Sequence, residues 1–138
     1  MRDMGTPHQR MQELCDCFAE TDFLKEMALL TNDADKDEAA LKWLALAVLH
    51  GVDRNAKEIS LERTDDGTIR AVAEYRDTDL PSPGREIGDK IIDAVRRITH
   101  IEDRKGEIPL AVGIRDSSLE IRVKVKRKDG SEKITLKF

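Results

Sequence analysis

Between Pro83 and Ile101 the chain carries a strongly two-sided helical pattern, set between two groups of segments whose polarity alternates residue by residue. From Ile87, apolar side chains recur at Ile91, Ala94, Val95 and Ile98, the three-and-four spacing that gathers them on one helical face. Arg85, Asp89, Lys90, Asp93, Arg96 and Arg97 take the rest of the circumference. Pro81-Ser82-Pro83 supplies a start, because proline is tolerated in a first helical turn and Ser82 can accept a bond from an unpaired amide. This helix is expected to be the element that covers the sheet.

The strand signals on either side are of the half-buried kind. Ile59 and Leu61 oppose Glu58, Ser60 and Glu62, then Asp65-Asp66-Gly67 marks a turn. In the run Thr68 to Arg76, Ile69, Ala71, Ala73 and Tyr75 point one way and Arg70, Glu74 and Arg76 the other. After a charged loop over 102–107, Ile108 to Ile114 reads as a strand starting at Pro109, and Asp116-Ser117-Ser118 turns the chain. The last hairpin is the clearest. Leu119, Ile121, Val123 and Val125 alternate with Arg122, Lys124 and Lys126; Lys128 to Ser131 turns; Ile134, Leu136 and Phe138 alternate with Lys133, Thr135 and Lys137.

Two helical patterns precede these strands. The first starts near Thr6 or Pro7, with Met11, Leu14, Cys15 and Phe18 on one face, and Thr21-Asp22 interrupts it before Phe23, Leu24, Met27 and Ala28 continue the stripe. One kinked helix or two short ones would fit. The second runs from about Asp37 to His50, capped by Asp35 or Asp37, with Gly51 in the position that favours a left-handed residue. Only Lys42 is polar between Ala39 and Leu49, which predicts a helix buried on most sides with Trp43 in the core. The expected architecture is α+β: an antiparallel sheet with a helix packed across one face, preceded by N-terminal helices. Residues 1–36 form a helical extension and 37–138 the sheet-and-helix domain.

Composition narrows the function classes. The 138 residues are 38% charged and 4% aromatic, so the core must be aliphatic, and the net charge of -4 opposes bulk attraction to nucleic acid or acidic membrane. No apolar run is long enough to span a bilayer, so no membrane insertion is expected, and the start lacks the basic-then-apolar pattern of a secretory signal. Cys15 and Cys17 are poor disulfide partners on a helix, which agrees with a reducing, cytoplasmic setting. Charge is uneven: residues 1–52 carry ten Asp or Glu against five Lys or Arg, while 121–138 carry seven basic residues against two acidic.

From about residue 39 onward the chain resembles the domain that precedes the motor domain in type II secretion and type IV pilus assembly ATPases. That family reads Ala-Ser-Asp-Ile-His-Ile-Glu where this chain has Ala56-Lys57-Glu58-Ile59-Ser60-Leu61-Glu62. Its Arg-x-Asp-Gly is matched loosely by Tyr75-Arg76-Asp77-Thr78, its helix and charged loop by Ile91 to Arg104, and its Leu-Pro by Ile108-Pro109. Its closing strands resemble Ile121-Arg122-Val123 and Gly130-Ser131-Glu132-Lys133-Ile134. The resemblance implies a PAS-like arrangement of sheet and helix. It also implies a protein partner, a secretion or pilus ATPase or its membrane platform, and places Arg70, Arg76 and Arg122 among candidates for arginines facing a neighbour's nucleotide.

The departures bear on chemistry. The family's motor half would begin where Phe138 stands, and Gly84-Arg85-Glu86-Ile87-Gly88-Asp89-Lys90 is one residue short of a phosphate-binding loop, with Ile91 where Ser or Thr should hold magnesium. The family's Gln-Asp-Gly has become Leu110-Ala111-Val112, and its first-strand His and Asp are Ser60 and Glu58. The leucine-rich repeat by which some members bind a cyclic dinucleotide has no counterpart in residues 1–52. ATP hydrolysis is not expected.

Other constellations favour plain structural readings. Asp33-x-Asp35-x-Asp37 starts like a calcium loop, yet Glu38 and Leu44 occupy its glycine and bidentate-glutamate positions, leaving a capped helix start as the better account. Cys15-x-Cys17 lacks a second ligand pair at zinc spacing, and His8, His50 and His100 are scattered. No catalytic residue, metal or cofactor is therefore expected.

The functional expectation rests on the basic hairpin face: Arg122, Lys124, Lys126 and Lys128 on one strand, Lys133 and Lys137 on the next. Such lysines also serve simply to solvate a sheet and discourage edge pairing. An acidic protein surface is the first partner class. Nucleic acid is disfavoured, because the face offers no aromatic ring for stacking. The expected role is a non-catalytic interaction or regulatory module, the alternative being a small-ligand sensor with a pocket between helix and sheet. Oligomeric state stays open.

Overall fold

A computed structural model describes residues 6–74, 78–114 and 117–138. Thr6 caps the first helix, α1 (Pro7–Phe18), through a reciprocal arrangement: its hydroxyl accepts from the Gln9 amide at 3.0 Å and the Gln9 side chain accepts from the Thr6 amide. The pattern breaks at Thr21-Asp22, where Asp22 caps a separate short helix, α2 (Phe23–Leu29), so two helices form rather than one kinked helix. Phe23 and Met27 are its buried anchors, Leu30 just past its end is buried too, and Ala28 is exposed. Asp35 then caps α3 (Lys36–Asp53), accepting from the Glu38 amide at 3.1 Å.

Buried from Trp43 through Gly51, α3 is the central post of the helical layer. Gly51 lies inside it, not at a left-handed terminus; Asn55, with φ 55°, takes that conformation. A Cβ at residue 51 would collide with the Phe138 ring, so the glycine lets Phe138 pack on the helix. The expected cap role of Gly51 is corrected on that ground.

Six strands follow: β1 (Glu58–Arg63), β2 (Ile69–Glu74), β3 (Thr78–Leu80), β4 (Lys105–Ile114), β5 (Ser117–Lys128) and β6 (Ser131–Lys137), with α4 (Gly84–Thr99) between β3 and β4. Every pairing is antiparallel and the spatial order is β3-β2-β1-β6-β5-β4. The closing hairpin therefore docks beside β1 at the centre. Pro109 is accommodated because β4 is an edge strand.

All the helices lie on one side. The buried side chains of β1, β5 and β6, among them Ile59, Leu61, Ile121, Val123, Ile134 and Leu136, meet the apolar faces of α1, α3 and α4 in one continuous core. A six-stranded sheet is about 24 Å wide, too broad for a single helix some 10 Å across. Accordingly α1 and α3 share with α4 the task that its pattern assigned to it alone, and helices within residues 1–36 contribute Met11, Leu14, Cys15 and Met27 to the same core. The expected α+β class, with antiparallel sheet and helices on one face, is what the chain adopts.

Two polar devices fasten the layers. Gln12 of α1 treats the outer edge of β4 as a neighbouring strand would: its Nε2 donates to the Gly113 carbonyl at 2.6 Å and its Oε1 accepts from the Gly113 amide at 2.7 Å, while His8 Nε2 bonds the Ala111 carbonyl at 2.9 Å. These contacts occupy edge groups that would otherwise invite strand addition. Near the opposite end of the sheet Glu132, 2% exposed, accepts from Arg96 Nε of α4 at 2.6 Å and lies 3.4 Å from both Arg63 and Arg127. Arg63 also reaches Asp89 of α4 at 2.8 Å, and Arg96 donates to the carbonyls of Ile101 and Asp103.

Candidate functional site

The face of the sheet away from the helices is open, and its pattern follows from register. Because side chains alternate, β5 turns Arg122, Lys124, Lys126 and Lys128 outward, and β6 turns Lys133, Thr135 and Lys137 outward beside them. The pairings set Arg122 across from Lys137, Lys124 from Thr135, Lys126 from Lys133 and Lys128 from Ser131. The hairpin cations anticipated from sequence are thus brought onto one surface.

Topology then adds what the hairpin alone did not reveal. Since β6 pairs with β1, Lys137 sits across from Glu58 and Lys133 across from Glu62; the next pairing sets Glu58 across from Glu74 and Glu62 across from Arg70. Beyond these, Asp79 of β3 lies across from Val72. The open face accordingly has a basic half on β4 to β6 and an acidic half on β1 to β3. A low-charge row of Val72, Ser60 and Thr135 crosses its middle. Over the acidic half the surface dips into a groove of about 270 Å³ lined by Glu58, Glu62, Glu74, Arg70 and Lys133, among others.

Not all of this charge is free. Glu107 of β4 accepts from Arg122 at 2.6 Å and lies 3.5 Å from Lys137, and these cations hold its carboxyl below the usual carboxylate range. Arg70 sits 3.5 Å from Asp79. By contrast Glu58, Glu62, Glu74, Lys124, Lys126 and Lys133 form no ion pair among the described residues. Their charges face solvent.

The arginines suggested by resemblance are not assembled into one site. Arg70 on β2 and Arg122 on β5 both point to the open face, but β1 and β6 intervene, a separation of roughly 14 Å at the usual strand spacing. Arg76 lies outside the described residues. Within the N-terminal helices, Asp35 is a helix cap, Asp33 bridges Lys42 at 3.0 Å and Asp37 bridges Lys90 of α4 at 3.2 Å. No group of His, Cys, Asp and Glu suited to a metal ion occurs among the described residues. Burial pushes the Cys15 thiol up to about 12, leaving it a packing residue, while Cys17 is exposed.

Sequence patterning missed the arginine cluster at Glu132. Arg96 reads as solvent-facing by helical phase, yet its side chain is 13% exposed because the long stem returns along the sheet to a carboxylate 36 positions away. The one available signal was Glu132 itself, in phase with Ile134 and Leu136 on the apolar side of its strand.

Among the described residues, the helices and the sheet meet in one apolar core. Its internal apolar void, lined by Leu44, Val48, Val95, Ile98, Ile121 and Val123 with neighbours, has a volume of about 10 Å³, at the lower limit for one water. No described helix is long and apolar enough to cross a membrane. No family model and no curated protein matches the chain.

Proposed function

We propose that the chain is a non-catalytic protein-interaction module that docks through the open face of its sheet. The observation that carries this reading is the set of carboxylates and ammonium groups held unpaired, in register, on a rigid surface whose reverse side is packed into the core. Charges fixed in this way steer encounter and set partner choice more than they stabilise a fold.

The sequence resemblance nominates the partner class, a secretion or pilus assembly ATPase or its membrane platform, and with it a cytoplasmic setting. The acidic outer surface of α1 and α2, with Glu13, Asp16, Glu20 and Asp22 exposed, offers a second contact for such an assembly. A small-ligand sensor is the alternative; the void of about 10 Å³ between helices and sheet would have to widen to hold a ligand.

Affinity capture of the tagged chain from nuclease-treated lysate of its source cells, with mass identification, tests the reading. Recovery of a motor or platform component, weakened by Lys124→Glu with Lys126→Glu in a folded chain, is the expected result. Capture unaffected by those substitutions would remove the sheet face from the proposal.

A further inference from the structure

The open face is complementary to itself. From the geometry we infer that its occupant is a second copy of this chain, stacked face to face about a two-fold axis that runs parallel to the strands between β1 and β6. The inference rests on reading this face as a docking surface, and it specifies who docks.

The argument is one of rows. Across the strands, one row reads Glu74, Glu58, Lys137 and Arg122; the middle row reads Asp79, Val72, Ser60, Thr135, Lys124 and Glu107; the third reads Arg70, Glu62, Lys133 and Lys126. Rotation about that axis keeps each row at its own level and exchanges its two ends. Lys137 of one copy then faces Glu58 of the other, Arg122 faces Glu74, and Lys133 faces Glu62; Lys133 brings a charge without an ion pair among the described residues, while Arg122 and Lys137 share Glu107 of their own copy and would bridge it to the partner's carboxylates. Two contacts are unfavourable, Arg70 opposite Lys126 and, at the ends of the middle row, Asp79 opposite Glu107; all of these groups but Lys126 are offset by ion pairs within their own copy, Arg70 with Asp79 and Glu107 with Arg122 and Lys137. An axis lying across the strands instead would set cation on cation along β5 and β6, so charge selects between the two ways of stacking.

Shape agrees with this choice. At the axis stand Ser60, half-buried, and Thr135, only 6% exposed; both are short, so two sheets can approach at the usual ~10 Å, with the long charged chains above and below them. Low charge at the centre with charge around it is the arrangement of a protein interface. The groove over Glu58, Glu62 and Glu74 would receive the partner's cations from β5 and β6. A footprint of roughly 24 by 20 Å on each copy buries about 1,000 Å² in total, the size class of weak, reversible complexes. Such a contact depends on ionic strength, because the Debye length falls from about 10 Å at 0.1 M salt to about 3 Å at 1 M.

Sedimentation equilibrium of the purified chain at protein concentrations up to ~1 mM, in low salt and then in ~1 M salt, tests the inference. The expected result is twice the 15.6 kDa chain mass at low salt, returning to the single mass at high salt. Two charge reversals follow: Lys133→Glu with Lys137→Glu, and Glu58→Lys with Glu62→Lys. Each alone should sediment as a monomer, and an equimolar mixture of the two should regain the double mass, because only the stacked arrangement brings the reversed residues together between copies. Should either variant fail to fold, the chain carrying all four changes restores the pairs within the sheet and should dimerise like the wild type.

A wild type that stays at single mass at every concentration, or folded variants whose mixture stays monomeric, would overturn the inference. The two proposals fail separately. A monomeric chain whose sheet-face variants still lose a captured partner overturns self-association alone, whereas a dimer from which no partner is captured removes the link to a larger machine.

Discussion

The two faces of the sheet are written in alternate residues of the same strands, and they obey opposite rules. On the covered face, β5 and β6 present Ile121, Val123, Val125, Ile134 and Leu136 to the helices, and Glu132, the one buried carboxylate among the described residues, is matched by three arginines. On the open face the same strands present Lys124, Lys126 and Lys133 without an ion pair among the described residues. Burial makes an unmatched charge expensive, whereas solvent lets it stand. Where charge is tolerated without compensation, it remains available to a partner.

If that contrast holds, substitutions on the covered side cost stability and those on the open side do not. Trp43→Ala, which empties a site at 0% exposure, should lower unfolding stability by about 4 kcal/mol. Glu132→Ala should cost about 3 kcal/mol, chiefly because Arg96 keeps its charge without its carboxylate. Gly51→Ala should cost about 2 kcal/mol through the clash with Phe138, and Phe138→Ala in the same chain should recover part of the loss. Urea unfolding at one pH measures all of these. Lys124→Glu with Lys126→Glu should then change stability by less than about 0.5 kcal/mol. A loss there as large as for Glu132→Ala would collapse the distinction between the faces.

Acid offers a finer probe of the covered side. Burial beside α2 holds His50, 2% exposed, below its ordinary 6.5, so the unfolded chain takes up the proton first. Stability should be full above pH 6.5 and decline as pH falls below it, toward the lowered folded value. Melting temperature followed from pH 7.5 to 5.5 should show this fall, and His50→Gln should flatten it. Asp66, in the exposed turn between β1 and β2 and so outside the covered side, works lower: its carboxylate accepts from the Thr64 hydroxyl and the Thr68 amide, which depress it from 3.8 to about 2. Its contribution is present above pH 3.8 and disappears as pH drops through about 2.

The covered face was the legible one. Period-two alternation in the closing hairpin and the three-and-four spacing of α4 report which side of an element is buried, and Trp43 and the Asp35 cap follow from equally local rules. What stayed hidden depends on neighbours far away in sequence. Gly51 looks like a helix terminus until Phe138 is known to lie on it. Glu58 and Glu62 look like ordinary solvent-facing residues until β6 is placed beside β1, which turns a basic hairpin into half of a two-signed surface. The short β3 gives too few residues for a period, and Arg96 defeats helical phase because a long side chain can leave the face on which it starts.

Lysine-reactivity footprinting by mass spectrometry tests the central claim most directly, comparing the dilute purified chain with the same chain in a concentrated native lysate. The account predicts that Lys124, Lys126 and Lys133 lose reactivity in the lysate while Lys57, exposed ahead of β1, labels equally in both. Equal labelling of all these lysines in both conditions would mean that the open face stays bare, and would contradict the claim that it is where this chain meets a protein.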